Sequence, residues 1–440
     1  SSRCHCGGFE PALSSAHRRE GVTHSRRAIA TLCGNQRTLI ERLWRFEVCL
    51  QHGESRGDDI VSAPASAKSR ASGNERVVVI VKRLFAKESV DYVVMVATVL
   101  FLVIFGLVMV LSSSFVGSAL GNDGNFFATF FSQAMWVLLG LPLMLVLSRL
   151  PPMSYKRLAP TAFLLALILQ ALVFTSLGIT SGGNTNWVNI AGLTGQPSEL
   201  LKAALIVWMA AMLANRIDDI SDYRTLMRPL GIGVVLALVM VGLGQDLGTI
   251  GVMVMIALGI VFVAGIRITH LAVVVGAVGI TAGLMALLSP SRVSRIMTWF
   301  SGCTEEDYLN GCWQIVHSTF ALGSGGFWGV GLGNSRAKWS WLPEAETDFI
   351  FAIVGEELGL LGTVLVLVSF IVLAVSMARM VRAQPDPFAR FVTAGVMVWL
   401  IGQALINIAV VLELLPVLGV PLPFMSVGGS ALLSSLAAMG

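Results

Sequence analysis

Apolar stretches of about 20 residues recur from residue 92 to the end of the chain, and polar segments separate them. A helix needs roughly 20 residues to cross the ~30 Å hydrocarbon core of a bilayer. Hydrocarbon offers no partner to backbone polar groups, so each stretch is expected to be helical. The pattern predicts an all-α fold with ten membrane-spanning helices, at residues 92–111, 127–147, 158–178, 197–213, 229–244, 247–266, 270–288, 348–375, 391–412 and 422–440.

The composition agrees with a multi-span membrane domain at residues 88–440. The chain is 55% hydrophobic and 13% charged, whereas about a quarter of the residues in soluble domains are charged. Fifteen of the 30 Lys and Arg residues precede residue 92, and the remainder of the chain holds 15 basic and 16 acidic residues. Nucleic-acid binding by this nearly neutral body is therefore not expected, and disulfide scaffolds and coiled coils are excluded.

Basic residues in the short loops predict the orientation, because Lys and Arg favour the cytoplasmic side. The even-numbered connections carry Arg or Lys, whereas the short odd-numbered ones, at 112–126, 179–196, 245–246 and 413–421, carry neither. The N-terminus is therefore expected inside. Residues 1–87 are expected to form a basic, disordered cytoplasmic arm, and sequence upstream of the true start is the alternative interpretation.

One predicted outer connection, residues 289–347, is far longer than the others. Loops of such length are usually functional. Cys303 and Cys312 both lie in it, on the oxidising side of the membrane. We expect a disulfide bond between them, and two free thiols are the alternative.

Charged residues in or near hydrocarbon are costly and mark candidate sites. Glu199 and Lys202 are three residues apart on one predicted helix, where they form either a functional pair or a structural ion pair. Asp246 lies at the outer turn between two spans, where an exposed helix cap would account for it.

The densest group of carboxylates joins the long loop to the eighth span. Glu344, Glu346 and Asp348 precede Glu356 and Glu357. Thr347 could cap the helix, which would place Asp348 in its first turn. A deprotonated Asp348 there suits a general base for a substrate hydroxyl. Simple capping and cation binding by the cluster are the alternatives.

Glycine-rich segments at 323–326, 329–335 and 426–430 flank this group. No soluble strand precedes them, so they do not match a dinucleotide-binding or P-loop motif. We expect them to permit tight loops and close helix packing. Their backbone amides could also hold a pyrophosphate.

The run from Gly329 to Gly359 resembles the signature of the SEDS (shape, elongation, division and sporulation) family, with Gly-Leu-Gly-Asn-Ser and Pro-Glu-Ala-Glu-Thr-Asp-Phe at its centre. Residues 196–202, 246–249 and 426–430 resemble three further blocks of that family. The Gly-Leu-Gly-Asn-Ser and Pro-Glu-Ala segments are more similar to those of the division members of the family than to those of the elongation members. The resemblance covers roughly residues 88–440.

The resemblance implies a peptidoglycan glycosyltransferase that polymerises lipid II at the outer face of the cytoplasmic membrane, at the division septum. It places the family's essential aspartate at Asp348. It also implies a class B penicillin-binding protein as transpeptidase partner, together with other membrane proteins of the division machinery. The candidate substrate-binding residues are Glu199, Lys202, Asn334, Arg336, Lys338, Glu344, Ser426, Gly428, Gly429 and Ser430.

The departing undecaprenyl pyrophosphate needs positive charge, from fixed cations or from a divalent ion such as Mg²⁺ or Mn²⁺. Arg292 and Arg295 join Lys202, Arg336 and Lys338 as the available cations. No covalently bound cofactor is expected, and the metal ligands are unknown. A lipid II flippase or other transporter and a noncatalytic scaffold are the alternative functions, and cell elongation is the alternative role to division.

Three residues depart from the usual family pattern. Glu346 stands where His is common, Gln245 replaces a usual Pro, and Val427 replaces a usual Tyr. The negative charge of Glu346 beside Asp348 is expected to raise the pKa of Asp348. These differences weaken the transfer of family roles to Asp246 and Ser426.

Overall fold

The computed structural model describes eight stretches of the chain: residues 89–121, 124–181, 184–190, 192–217, 223–265, 290–301, 312–339 and 341–440. The arm at 1–87, the predicted span at 270–288 and Cys303 lie outside the described residues.

The described residues form eleven helices and one small sheet. The helices are α1 (Val90–Gly121), α2 (Ala128–Leu147), α3 (Pro152–Ala171), α4 (Pro197–Ala214), α5 (Tyr223–Leu243), α6 (Leu247–Val263), α7 (Pro290–Ser301), α8 (Trp313–Gly325), α9 (Ile350–Ala383), α10 (Pro387–Val411) and α11 (Gly429–Met439). Six of them, α1 to α4, α9 and α10, are long and apolar enough to span a membrane, and α5, α6 and α11 contain shorter apolar helices. The predicted all-α multi-span fold is confirmed.

Side-chain exposure fits this fold. Trp399, Phe391 and Met209 are fully buried between helices, whereas the side chains of Leu138 and Ile232 are 73% and 69% exposed. Lipid tails are as apolar as leucine, so such outward-facing side chains carry no penalty in a bilayer.

The last span begins later than the sequence predicts. Helix α11 starts at Gly429, not at residue 422, and residues 412–428, here called the hub loop, are not helical. The chain cannot be helical before Gly429, because Phe424 has a left-handed conformation (φ 66°) and Gly428 has extended backbone (φ 163°, ψ 96°).

The connection predicted at 179–196 folds into a three-stranded antiparallel sheet. Its strands are β1 (Gly178–Ser181), β2 (Asn184–Ile190) and β3 (Leu193–Gly195). Ile179 pairs with Trp187, and Asn189 pairs with Thr194. The strand Asn184–Ile190 contains Thr185, Trp187, Val188 and Ile190, and β-branched and aromatic residues of this kind favour strands.

The connection at 289–347 is not an open loop, because it contains α7 and α8. After α8 the chain runs beside a break in α9, where Gly359 has φ 66° and ψ −159°. Val330 donates its N–H to the carbonyl oxygen of Glu356 (2.9 Å), and Leu360 donates to that of Gly326 (2.9 Å). The backbone groups that the break frees are thus satisfied by this segment, as buried irregular backbone in a membrane domain requires.

Segments predicted on one side of the membrane contact one another. Gln196 donates its backbone N–H to Ser430 Oγ (3.0 Å), and Thr185 donates to Gly244 O (3.0 Å). On the opposite side, Arg379 lies 3.6 Å from Asp91. The grouping of the loops into two sides therefore agrees with the predicted topology.

Candidate active site

Asp348 lies in a tight turn, not in the first turn of α9. Glu344 has a left-handed backbone conformation (φ 55°). Its carbonyl oxygen accepts hydrogen bonds from the N–H groups of Thr347 (3.2 Å), Asp348 (3.1 Å) and Phe349 (3.1 Å). The helix begins at Ile350 with Phe349 as its N-cap residue. The predicted capping role of Thr347 is wrong, because its hydroxyl instead donates to Glu344 Oε2 (2.7 Å) within the turn.

The half-buried Asp348 packs against the hub loop. Asn407 Nδ2, from α10, donates to Asp348 O (2.7 Å) and to Val420 O (2.8 Å). Gly419 has φ 66°, and a Cβ on it would lie 3.7 Å from Asp348 Oδ2. One amide side chain therefore fixes the turn and the hub loop together, with the carboxylate facing Gly419.

The surroundings of Asp348 favour its neutral form. Burial, followed by the negative charges of Glu344 and Asp246, raises its pKa to about 7, and the positive charge of Arg295 opposes this shift. Burial and Glu344 also raise the pKa of Glu346. The sequence attributed the effect on Asp348 to Glu346, whereas the structure identifies burial and Glu344 as the leading causes.

Asp246 is a buried helix cap. Its carboxylate accepts hydrogen bonds from Thr249 N (3.0 Å) and Thr249 Oγ1 (2.8 Å) at the start of α6. Asn186 Nδ2 and Gln196 Nε2 each donate to Asp246 Oδ2 at 2.9 Å. The prediction of a cap is confirmed, but this cap is buried and joins the sheet to α4 and α6, whereas the sequence suggested an exposed one.

Glu199 and Lys202 form the buried ion pair that their spacing predicts, with 2.9 Å between Lys202 Nζ and Glu199 Oε1. Lys202 Nζ also donates to Gln403 Oε1 (3.0 Å) and lies 4.9 Å from the centre of the Trp399 ring. Gln403 Nε2 in turn donates to Pro421 O in the hub loop (2.8 Å). The pair therefore supports the same loop that Asp348 contacts.

Lys338 is held by a different carboxylate. Its Nζ lies 3.3 Å from Glu357 Oε1 in an ion pair whose side chains are almost fully buried. Glu356 accepts hydrogen bonds from Ser335 Oγ and from Arg336 N. Arg336 and Asn334 are exposed, and Asn334 Nδ2 donates to Val330 O (3.2 Å). The structure thus brings these residues to the break in α9 and not to the carboxylate of Asp348.

The segment from Ser426 to Ser430 shapes the end of the hub loop. Ser426 Oγ accepts from Leu422 N (2.8 Å), and Gln133 binds both Ser426 O and Gly428 N, each at 3.2 Å. A Cβ on Gly429 would lie 2.1 Å from Trp136 Nε1. The glycine therefore allows α2 and α11 to pack closely, as predicted for the glycine-rich segments.

Sequence reasoning missed the uncharged amides that hold the site: Gln133, Asn186, Gln196, Gln403 and Asn407. Three of them lie inside apolar helices, where a polar side chain needs a partner. A polar amide within an apolar stretch is therefore the sequence signal that identifies these three residues.

No three His, Cys, Asp or Glu side chains cluster closely enough to hold a metal ion anywhere in the described part of the chain. The described side chains around Asp348 therefore do not by themselves provide the predicted divalent site. Cys312 is disulfide-bonded. Its pairing with Cys303, which lies outside the described residues, stays a prediction.

Comparison with known proteins identifies the family to which the chain belongs. A family model for cell cycle proteins of the FtsW, RodA and SpoVE type matches residues 92–440. The chain belongs to the FtsW/RodA/SpoVE family. This result confirms the SEDS resemblance and the polytopic membrane character of the chain.

Relatives within the FtsW/RodA/SpoVE family are similar over most of the chain. The probable peptidoglycan glycosyltransferase FtsW of Mycobacterium tuberculosis is 34% identical over 88% of this chain and 72% of its own length. Stage V sporulation protein E of Bacillus subtilis is 36% identical over 80% of this chain and 96% of its own length.

Two solved structures share the fold of this family member. One, described as "Structural coordination of polymerization and crosslinking by a peptidoglycan synthase complex", has a TM-score of 0.63 and 25% identity, over 78% of this chain and 94% of that one. The rod shape determining protein RodA of Thermus thermophilus has a TM-score of 0.57 and 25% identity, over 78% of this chain and 92% of that one.

Proposed function

We propose that this chain is a peptidoglycan glycosyltransferase that polymerises lipid II at the outer face of the cytoplasmic membrane, with Asp348 as the general base. The observation that carries the proposal is the position of Asp348 in the Glu344 turn. Its carboxylate is half-buried there, faces Gly419, and has a pKa of about 7. Relatives named peptidoglycan glycosyltransferase support the reaction type.

Asp348 suits the removal of a proton from the acceptor sugar hydroxyl. A general base works best when its pKa lies near the working pH, because it is then substantially ionised and still basic enough to take the proton. The hydroxyl oxygen attacks the anomeric carbon of the donor sugar, the bond from that carbon to the undecaprenyl pyrophosphate breaks, and Asp348 holds the released proton. The turn at Glu344 and the Asn407 contact keep the carboxylate in place.

Among the candidate cations whose side chains the structure describes, Arg295 is the best placed to offset the negative charge of the leaving pyrophosphate. Lys202 and Lys338 are already in buried ion pairs with Glu199 and Glu357. Arg295 is exposed on α7, and its charge lowers the pKa of Asp348. Helix α7 is fastened to the hub loop, since Trp299 Nε1 donates to Glu413 O (2.9 Å). Arg295 thus lies near the carboxylate on an element attached to the same loop.

Glu199 and Lys202 have a positioning role in this proposal. Their ion pair holds Gln403, which binds the hub loop at Pro421. A divalent cation remains a further proposal, and no step is assigned to it.

We propose a cytoplasmic N-terminus, because the Lys and Arg residues of the short connections favour that side. We also propose that the protein acts at the division septum, since FtsW proteins are prominent among its relatives. Its partner is a class B penicillin-binding protein, which would crosslink the strands. The similarity to a chain from a complex that coordinates polymerization and crosslinking supports such a partner. Lipid II and other division proteins are the remaining proposed partners.

The test supplies fluorescent lipid II to the full chain, purified with its transpeptidase partner in lipid nanodiscs, with penicillin present to block crosslinking. Glycan strands are then separated on a gel. We expect polymer from the wild type and none from Asp348→Asn. Asp91→Asn is the control, because Asp91 pairs with exposed Arg379 at the opposite side of the membrane domain. A complex that assembles but forms no polymer would favour a scaffold, and lipid II transfer between leaflets without polymer would favour a flippase.

A further inference from the structure

Three aromatic rings stack on one another just before the Glu344 turn. The ring centres of Trp313 and His317 are 4.2 Å apart, and those of Trp313 and Trp341 are 6.2 Å apart with only 9° between their planes. His317 and Trp341 are 5.8 Å apart. These three residues, here called the aromatic platform, join α8 to the segment that leads into Glu344.

Hydrogen bonds hold the aromatic platform in a fixed shape. Trp313 Nε1 donates to Trp341 O (2.7 Å), and His317 Nδ1 lies 2.9 Å from Trp313 O. The residue before Trp313 is Cys312, which is buried and disulfide-bonded. The platform is therefore preorganised, which lowers the entropic cost of binding a ligand.

The outer member of the platform remains accessible. Trp341 is 55% exposed, whereas the neighbouring Leu342 is 3% exposed and anchors the segment in the core. Trp341 lies seven residues before Asp348, which is at most about 25 Å even for an extended chain. The Glu344 turn shortens that path, so the backbone at Trp341 and the backbone at Asp348 are separated by no more than a few sugar rings.

We propose that the aromatic platform binds the growing glycan strand, with a pyranose ring stacked on the face of Trp341. The C–H bonds on one face of a β-1,4-linked sugar carry partial positive charge, and an indole face carries partial negative charge. This inference rests on the proposed function for the identity of the glycan. A polymerase that adds one unit after another needs to hold its product, and a neutral, flat, rigid aromatic face suits sugar rings.

A binding measurement separates this proposal from the ordinary placement of tryptophan at a membrane interface. The full-length Asp348→Asn variant in nanodiscs is titrated by calorimetry with soluble, lipid-free peptidoglycan strands and with chitohexaose, a β-1,4-linked GlcNAc hexamer. In this background we expect Trp341→Ala to weaken binding about fivefold or more, and Trp341→Phe to weaken it less. Trp328→Ala is the matched control, because Trp328 is 77% exposed and lies outside the platform.

Equal affinity of the Trp341→Ala and Trp328→Ala proteins would overturn the proposal, as would failure of the Asp348→Asn protein itself to bind strands. Lower thermal stability of Trp341→Ala with unchanged glycan affinity would identify an interfacial anchor and also overturn it. If Trp341→Ala is unstable, the Trp341→Phe and Trp341→Leu pair gives the same comparison, and equal affinities would then contradict the proposal.

A second measurement distinguishes failure of this inference from failure of the proposed function. In a protein that keeps Asp348 and is supplied with lipid II, Trp341→Ala should give shorter strands at a nearly unchanged rate of initiation. If strand binding depends on Trp341 but the wild type forms no polymer, the proposed function is contradicted and the glycan site is supported. Long strands from Trp341→Ala would remove the glycan site and leave the proposed function.

Discussion

At the scale of single residues, the pKa of Asp348 gives the clearest prediction. Only the ionised carboxylate can accept a proton, so the rate of lipid II consumption should rise as the pH increases through about 7. Removing a negative charge by Glu344→Gln should shift this rise to lower pH, and removing a positive charge by Arg295→Gln should shift it to higher pH. Initial rates across pH 5.5–8.5, roughly the range that brackets this pKa, check all three proteins.

Shifts of the two variants in the same direction would contradict this electrostatic account of the site. The raised pKa of Asp348 also makes the free energy of unfolding depend on pH. Because folding raises the pKa of Asp348, the stabilisation that its protonation provides is complete below about pH 4 and is lost as the pH rises through about 7.

The sequence could single out Asp348 as the candidate general base, because its motif is recognisable, but it could not show how that carboxylate is held. The supports are Asn407, Gln403 and the left-handed Glu344, which come from distant segments or from backbone conformation. The spacing in the sequence predicted that Lys202 pairs with Glu199. Only the fold reveals that Lys338 has a buried partner, Glu357.

At the scale of elements, the ion pair between Lys338 and Glu357 fastens the segment after α8 to the break in α9. Lys338→Met would leave the Glu357 carboxylate buried without its cation, which typically destabilises a protein by about 3–5 kcal/mol. Adding Glu357→Gln should recover much of that loss. Thermal unfolding of the nanodisc-embedded proteins provides the measurement.

Arg336→Gln is the matched control for Lys338→Met, because Arg336 is exposed two residues away. Its unfolding midpoint should stay near that of the wild type. Equal losses from the two substitutions would mean that the buried pair has no special role in holding the segment.

Two glycines of α8 offer a second test at this scale. A Cβ on Gly325 would lie 1.9 Å from Gly355 O, whereas a Cβ on Gly323 would meet nothing within 4 Å. Gly325→Ala should therefore separate α8 from α9 and lower the unfolding temperature. Gly323→Ala should leave stability unchanged or slightly raised, since alanine favours a helix by roughly 0.5–1 kcal/mol over glycine. A stable Gly325→Ala protein would contradict the close packing of these helices.

The long apolar stretches predicted the helices well, because a helix that spans a membrane requires such a stretch. It could not predict the break at Gly359, since Leu358 to Leu361 continue an apolar stretch and the break depends on the segment that packs beside it. The three-stranded sheet was also missed, because its strands are short and were read as a connection.

At the scale of the whole molecule, contacts among the described residues join Gln196 to Ser430 and Thr185 to Gly244, whereas Arg379 lies beside Asp91. We expect the sheet and the hub loop to face outward, and the turn between α2 and α3 to face the cytoplasm. In a variant without the native cysteines, Ser176→Cys should react with a membrane-impermeant maleimide in intact spheroplasts, and Ser148→Cys should react only after lysis. The reverse pattern would invert the topology and place Asp348 away from the outer face.

The account depends most directly on what Asp348 does to the chemical step. The decisive measurement is the initial rate of glycan polymerisation by the Asp348→Asn complex relative to wild type, at matched assembly with the transpeptidase and matched lipid II. A positioned general base contributes about 10²–10⁴-fold, so we expect a rate at least about 100-fold lower, while Asp91→Asn retains wild-type activity. An Asp348→Asn rate within a factor of about two of wild type, far less than a lost base would cause, would contradict the central claim.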